Sequence, residues 1–318
     1  MNRTEQLVSW LTLSQGQAPQ TLALAAADAS VRQYWRATYP EKSFIVMEFD
    51  PAVFDCLPFL ARQQQLAGAE LPVPAVLAQN LEQGFVLLED LGDVTLASLL
   101  NAENAKAWYL RAITLLVELQ ANTSDDELPV FDGAFIQREL DICREWYFGQ
   151  QFGVTLAGKE LATWERSCAL ITMNVLSQPT LFMHRDYHSR NLMVQNDQLR
   201  LIDFQDAVKG PIAYDLVSLL RDAYLDWDET FVLDLVIRYW EQARAAGLPV
   251  HDDFGDFYLA FEMAGLQRHL KILGLFARLN IRDQKSQYLA DIPRVFQYVR
   301  QVCLRYSELT PLGRLLVN

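Results

Sequence analysis

Residues 184 to 206 constrain the fold of this chain more tightly than any other stretch. They read His-Arg-Asp-Tyr-His-Ser-Arg-Asn, then two short apolar runs (192–194 and 199–202) around the polar tetrad Gln195-Asn196-Asp197-Gln198, then Asp-Phe-Gln-Asp. Apolar runs of that length either side of a polar tetrad predict two strands joined by a tight turn. Such a hairpin carries Asn191 and Asp203 to its open end, and Asp186 stands five residues before Asn191. Three oxygen-bearing side chains are thus tied to one loop and one ribbon.

That arrangement suits phosphoryl transfer from a nucleotide. The reaction needs one carboxylate to align and deprotonate an acceptor hydroxyl, and oxygen ligands to hold magnesium on the phosphates. Asp186 is then the expected base, with Asn191 and Asp203 as metal ligands. Magnesium takes few protein oxygens alongside phosphates and water. The alternative is structural: Asp186 and Asn191 cap a turn and Asp203 opens a loop. The compound spacing of step, hairpin and strand-end aspartate favours the phosphotransferase.

At 318 residues and 51% hydrophobic content the chain can bury two modest cores. A formal net charge of −13 opposes nonspecific nucleic-acid binding, which relies on basic surface. No run approaches the ~18 uncharged apolar residues of a membrane span. The first ten residues, with Glu5 and Trp10, do not read as a signal peptide. Cys56, Cys143, Cys168 and Cys303 are scattered, as buried thiols of a reducing cytoplasm would be, and form neither a disulfide frame nor a zinc site. A cytoplasmic enzyme with no nucleic-acid, membrane or obligate protein partner is expected.

Strand patterns run over 22–27, 31–38, 43–49, 76–78 and 84–88, with a turn at Asp28-Ala29-Ser30 and helices at the first ten residues and 58–66. Beyond Leu91-Gly92-Asp93 the pattern turns helical, over 105–120, 135–150, 161–176, 230–245, 254–279 and 287–306. Several segments carry a family resemblance: residues 28–36, Leu88-Glu89-Asp90-Leu91-Gly92, the 184–206 loop and hairpin, and Gly210-Pro211 leading to Tyr214-Asp215-Leu216. On these the chain resembles the aminoglycoside phosphotransferase and choline kinase superfamily. Four further segments (28–32, 201–207, 215–224 and 265–271) are similar to bacterial anomeric N-acetylmuramate/N-acetylglucosamine kinases of cell-wall recycling. The resemblance implies an α+β, bilobal protein-kinase-like fold. A small antiparallel-sheet N-lobe would span 1–91 and a larger, mainly helical C-lobe 92–318. ATP and Mg2+ are the implied phosphoryl donor and cofactor.

The turn containing Ser30 stands where protein kinases carry a glycine-rich phosphate loop, and its backbone N–H groups are expected at the phosphates. Met47 occupies the position of the usual strand lysine; Lys42 is the sole lysine before residue 106. Arg32 or Arg36, on one face of a strand, is expected to supply the missing positive charge; solvated strand arginines are the alternative. By resemblance, the backbone around Glu89 and Leu91 meets adenine, and Asp215 supports the catalytic loop from behind, though an N-cap role is also open. His184 is read as orienting the loop, and His188 as supporting it or approaching the phosphates. Glu139, His188, Gln205, Asp222 and Arg268 are expected at the acceptor, with Arg268 suited to a lactyl carboxylate.

These expectations converge on an ATP-dependent kinase of the anomeric hydroxyl of N-acetylmuramate or N-acetylglucosamine. An aminoglycoside, choline or homoserine phosphotransferase of the same fold is the rival within the class. An acidic group at Asp222, Asp226, Asp228 and Glu229 would suit a polycationic acceptor. A nucleotide-binding pseudokinase scaffold is the rival outside it, motivated by Met47 and opposed by the complete Asp186–Asn191–Asp203 set.

Overall fold

The computed structural model describes residues 2–26 and 32–316; the expected turn at 28–30, and Ser30 with it, lies outside them. The chain begins with α1 (Arg3–Gln15), β1 (Thr21–Ala26), β2 (Gln33–Thr38), β3 (Ser43–Glu48), α2 (Leu57–Gly68), β4 (Val76–Asn80) and β5 (Phe85–Glu89). Then come α3 (Leu96–Leu99), α4 (Ala105–Asn122), α5 (Gly133–Ile142), a π-helical run Cys143–Gln151 and α6 (Gly158–Ser177). Four short strands follow: β6 (Thr180–Met183), β7 (Leu192–Gln195), β8 (Gln198–Leu201) and β9 (Val208–Pro211). The rest is helical, in α7 (Tyr214–Leu220), α8 (Glu229–Ala245), α9 (Phe254–Ile281), α10 (Ile292–Arg305) and α11 (Thr310–Leu315).

Packing divides the chain into two units, Met1–Thr95 with Leu192–Asp206, and Leu96–Asn191 with Ala207–Asn318. Sequence order had put all of 92–318 together. The β7–β8 hairpin joins the smaller unit because its bonds are made there. Leu201 N–H donates to the Pro72 carbonyl at 2.8 Å, Val194 N–H donates to that of Val94 at 2.8 Å, and Phe204 stacks on Phe59 at 5.3 Å.

In the smaller unit an antiparallel sheet runs β1-β2-β3-β5-β4. Strand alternation puts Trp35, Ala37, Phe44, Val46, Phe85 and Leu87 on one face, where Leu7 and Leu11 of α1 complete a core. A capping box starts α1: Asn2 accepts the Glu5 N–H and Glu5 accepts the Asn2 N–H, each at 2.9 Å. The other face carries Tyr34 opposite Met47 and Arg36 opposite Ile45. Met47 is fully buried, with the Tyr34 hydroxyl 3.6 Å from its sulfur. In the hairpin, Asn196 and Asp197 have φ of 50° and 61°, the two left-handed residues that a tight turn matched to strand twist requires.

The larger unit is arranged around α9, which packs against α5, α6, α7, α10 and the π-helical run. Gly274 permits the close approach of α9 to the junction of α5 and the π-helical run, since a Cβ there would lie 2.4 Å from the Ile142 carbonyl oxygen. The single helix expected over 135–150 is therefore α5 continued as a π-helix, and that expected over 287–306 is a 3-10 turn followed by α10. β6 pairs antiparallel with β9, Thr180 opposite Pro211 and Met183 opposite Val208. Among the described residues no helix is long and apolar enough to cross a membrane. All four cysteines are buried, and burial pushes their thiols up.

Candidate active site

In the larger unit the loop between β6 and β7 is held on several sides. Arg185 sits in the left-handed region with φ of 75°, a conformation costing a non-glycine residue about 1–3 kcal/mol. Asp215, at the start of α7, accepts the backbone N–H of His184 at 2.6 Å and of Arg185 at 2.9 Å. The Asp186 N–H donates to Nδ1 of His184 at 3.3 Å. The Asn191 amide nitrogen donates to the Asp186 carbonyl at 3.0 Å, which turns its amide oxygen the other way. Asp222 accepts the Ser189 N–H at 3.1 Å and its hydroxyl as well. Burial pushes the Asp215 carboxyl up to about 7, against the pull of its two backbone donors.

The Asp186 side chain keeps 40% of its surface exposed, while Arg268 beside it keeps 4%. One guanidinium nitrogen of Arg268 donates to the Arg185 carbonyl at 2.7 Å and lies 3.5 Å from an Asp186 carboxylate oxygen. Burial alone would raise the Asp186 carboxyl. Arg268, Lys271, His188 and Arg185 together outweigh that and hold it well below the usual carboxylate range. Asp186 is thus an ionised acceptor on the exposed side of a cationic cluster.

Glu139, expected at an acceptor, instead braces this cluster from within. One oxygen meets Arg185 at 2.7 Å and Lys271 at 2.9 Å, the other accepts from Gln267 at 2.9 Å, and the side chain is 6% exposed. Burial would raise its carboxyl, but Lys271 and Arg185 hold it low. Asp222, also expected at an acceptor, is 1% exposed and bonded to the loop. The remaining acidic residues are engaged too. Asp228 caps α8, Asp226 accepts from Tyr298, and Glu229 meets Arg221, Arg305 and Tyr258. His188 is buried, its ring edge-on to Tyr224 at 5.4 Å.

In the smaller unit Asp203 also has a left-handed φ, 64°, and a side chain 42% exposed. Gln205, expected at the acceptor, donates to its carboxylate at 2.8 Å, and Arg32 lies 3.8 Å away. Arg36 is turned to other work. It donates to Asp90 at 2.7 Å, to Asp93 at 2.7 Å and to the Gly92 carbonyl at 3.2 Å, fixing the chain after β5. Glu89 is bridged by Arg200 at 2.6 Å, its N–H donates to the Ala75 carbonyl, and Leu91 is buried.

Asn191 in the larger unit carries an amide oxygen and Asp203 in the smaller a carboxylate, each the hard kind of donor that magnesium takes. Three supports escaped the sequence. Ser189 finds Asp222 thirty-three residues on, Arg185 finds Glu139 forty-six residues back, and Tyr214 lies under the Arg268 guanidinium at 5.6 Å. No local pattern marks any of them.

A sequence profile of the phosphotransferase enzyme family matches residues 21–248. The chain is 44% identical to an N-acetylmuramate/N-acetylglucosamine kinase of Neisseria meningitidis serogroup B, over 100% of this chain and 96% of that one. It is 41% identical to the protein of that name from Pseudomonas putida, over 99% of this chain and 96% of its relative. Among solved structures, the choline kinase LicA from Streptococcus pneumoniae superposes with a TM-score of 0.68 at 12% identity, covering 94% of this chain and 100% of LicA. The ADP-bound aminoglycoside phosphotransferase APH(2'')-Ib gives 0.60 at 16% identity, covering 91% and 96%. With a protein-kinase-like fold shared with such neighbours, a loop built around Asp186 and relatives matched along its whole length, the chain belongs to the phosphotransferase enzyme family.

Proposed function

We propose that this phosphotransferase is a cytoplasmic, ATP- and magnesium-dependent kinase that phosphorylates the anomeric hydroxyl of N-acetylmuramate or N-acetylglucosamine, in the recycling of peptidoglycan sugars. The observation that carries the reading is identity above 40% over nearly the whole chain with relatives bearing that name.

Asp186 accepts a hydrogen bond from the acceptor hydroxyl, aligns its oxygen on the γ-phosphorus and takes its proton as that oxygen bonds to phosphorus, while the bond from the γ-phosphorus to the β–γ bridging oxygen breaks and ADP leaves. Asn191 and Asp203 would hold magnesium, which would offset negative charge on the phosphates. Arg32 stands in for the strand lysine that Met47 replaces; Arg36 does not, because Asp90 and Asp93 engage its guanidinium. The backbone around Glu89 and Leu91 meets the adenine edge. A polycationic acceptor is disfavoured, because Asp222, Asp226, Asp228 and Glu229 all serve bonds within the protein.

The test is nucleotide turnover with magnesium against N-acetylmuramate, N-acetylglucosamine, kanamycin, choline and homoserine. Turnover confined to the N-acetylated sugars supports the reading. Turnover confined to another acceptor replaces it while keeping the phosphotransferase.

A further inference from the structure

Arg185 is strained, and its backbone is gripped at both its N–H and its carbonyl. Arg185 has a φ of 75°, which persists only where the surroundings over-determine it. On one side Asp215 takes the Arg185 N–H at 2.9 Å. On the other, Arg268 donates to the Arg185 carbonyl at 2.7 Å, and the same nitrogen lies 3.5 Å from the Asp186 carboxylate.

We infer that Arg268 is a positioning residue for Asp186: it fixes the carbonyl of the strained Arg185 and the carboxylate that follows as one unit, and is not the acceptor ligand that the sequence suggests. Two observations carry this. First, a guanidinium 4% exposed beneath a carboxylate 40% exposed approaches that carboxylate from the protein side, leaving the open side for the acceptor. Second, its neighbours on α9 are turned to the same task. Gln267 and Lys271 hold Glu139, which holds the Arg185 side chain, so one helix grips the loop by both its backbone and its side chain. A rigid base matters because misplacing a reacting group by about 1 Å can cost about 100-fold in rate.

The inference rests on Asp186 as the base but not on the identity of the sugar. The experiment compares Arg268→Gln and Arg268→Lys in the full chain, reading kcat, both KM values and the urea midpoint. Arg268→Gln is expected to lower kcat about 100-fold, with both KM values within about threefold of wild type. Arg268→Lys keeps a donor for the Arg185 carbonyl and should recover about tenfold of that loss at a similar urea midpoint. A kcat for Arg268→Gln within about threefold of wild type overturns the inference. So does a loss confined to the acceptor KM, which makes Arg268 a ligand, or a lysine variant no better than glutamine. Should Arg268→Gln fail to fold, Arg268→Lys decides alone: a lowered kcat at unchanged KM supports the role and a wild-type kcat removes it. If wild type proves inert on N-acetylated sugars, the sugar reading falls separately, and slow nucleotide hydrolysis by water becomes the readout.

Discussion

The carboxylate of Asp215 accepts the backbone N–H of His184 at 2.6 Å and, through its other oxygen, that of Arg185 at 2.9 Å. The loop that carries Asp186 is therefore fastened to the start of α7 by a buried residue. Asp215→Ala leaves both buried donors without an acceptor, at about 1–3 kcal/mol each. It also frees Arg185 from its left-handed conformation. Urea unfolding should register the loss, and kcat should fall about 100-fold as the loop relaxes. A variant of wild-type stability and rate would show that the bonds do not hold the loop.

Stability should respond to pH in two opposed ways. The Asp215 carboxyl, raised by burial from 3.8 to about 7, contributes stability that is full below about 4 and is lost as pH rises through 7. His269 is the reverse case. Buried, with its ring stacked on Tyr298 at 4.9 Å and Nε2 3.0 Å from the Arg221 carbonyl, it is depressed by burial from 6.5 to about 3. Its contribution is full above 6.5 and is lost as pH falls toward 3. Asp215→Asn should remove a downward slope in stability with rising pH, and His269→Gln an upward one. Urea midpoints of each variant against wild type, from about pH 4.5 to 8, check the signs. Two difference curves of the same sign would contradict them.

Glu139 distinguishes a brace from a substrate ligand. Glu139→Gln leaves Arg185 and Lys271 buried without their carboxylate, a change that costs about 3–5 kcal/mol for a buried ion pair. The expected signature is a fall in urea midpoint together with a fall in kcat. Unchanged stability with a raised acceptor KM would return Glu139 to the acceptor site.

The two strand arginines should part company. Arg36→Met removes the guanidinium shared by Asp90 and Asp93 and should cost about 1–3 kcal/mol of stability with little change in nucleotide KM. Arg32→Met should raise the nucleotide KM about tenfold at nearly constant stability. Isothermal titration of nucleotide beside urea unfolding separates the effects. The reverse assignment would show that Arg36, not Arg32, supplies the phosphate charge.

The sequence was most legible where one short stretch holds the whole signal. The Asp186-to-Asn191 step and the hairpin over 192–201 are local, and a polar tetrad between apolar runs leaves a tight turn as the natural solution. Illegible were features whose partners are distant. Nothing near Glu139 announces Arg185, and nothing near Arg36 announces Asp90, so both read as candidates for binding when packing had already engaged them. The π-helical run Cys143–Gln151 keeps helical apolar spacing, so it reads as a continuation of α5. The four-residue strands β6 and β9 are too short to carry a pattern. The hairpin's attachment to the smaller unit depends on bonds to Pro72 and Val94, far from it in sequence.

The proposed role of Asp186 is to direct phosphoryl transfer to the anomeric hydroxyl of an N-acetylated hexose. It is tested most directly by phosphorus NMR of the products formed from ATP, magnesium and N-acetylmuramate or N-acetylglucosamine, with wild type and Asp186→Asn side by side. Wild type is expected to give a sugar 1-phosphate, and the variant a rate about 1,000-fold lower with nucleotide binding retained. Phosphate on another hydroxyl, or a variant that works at the wild-type rate, would contradict it.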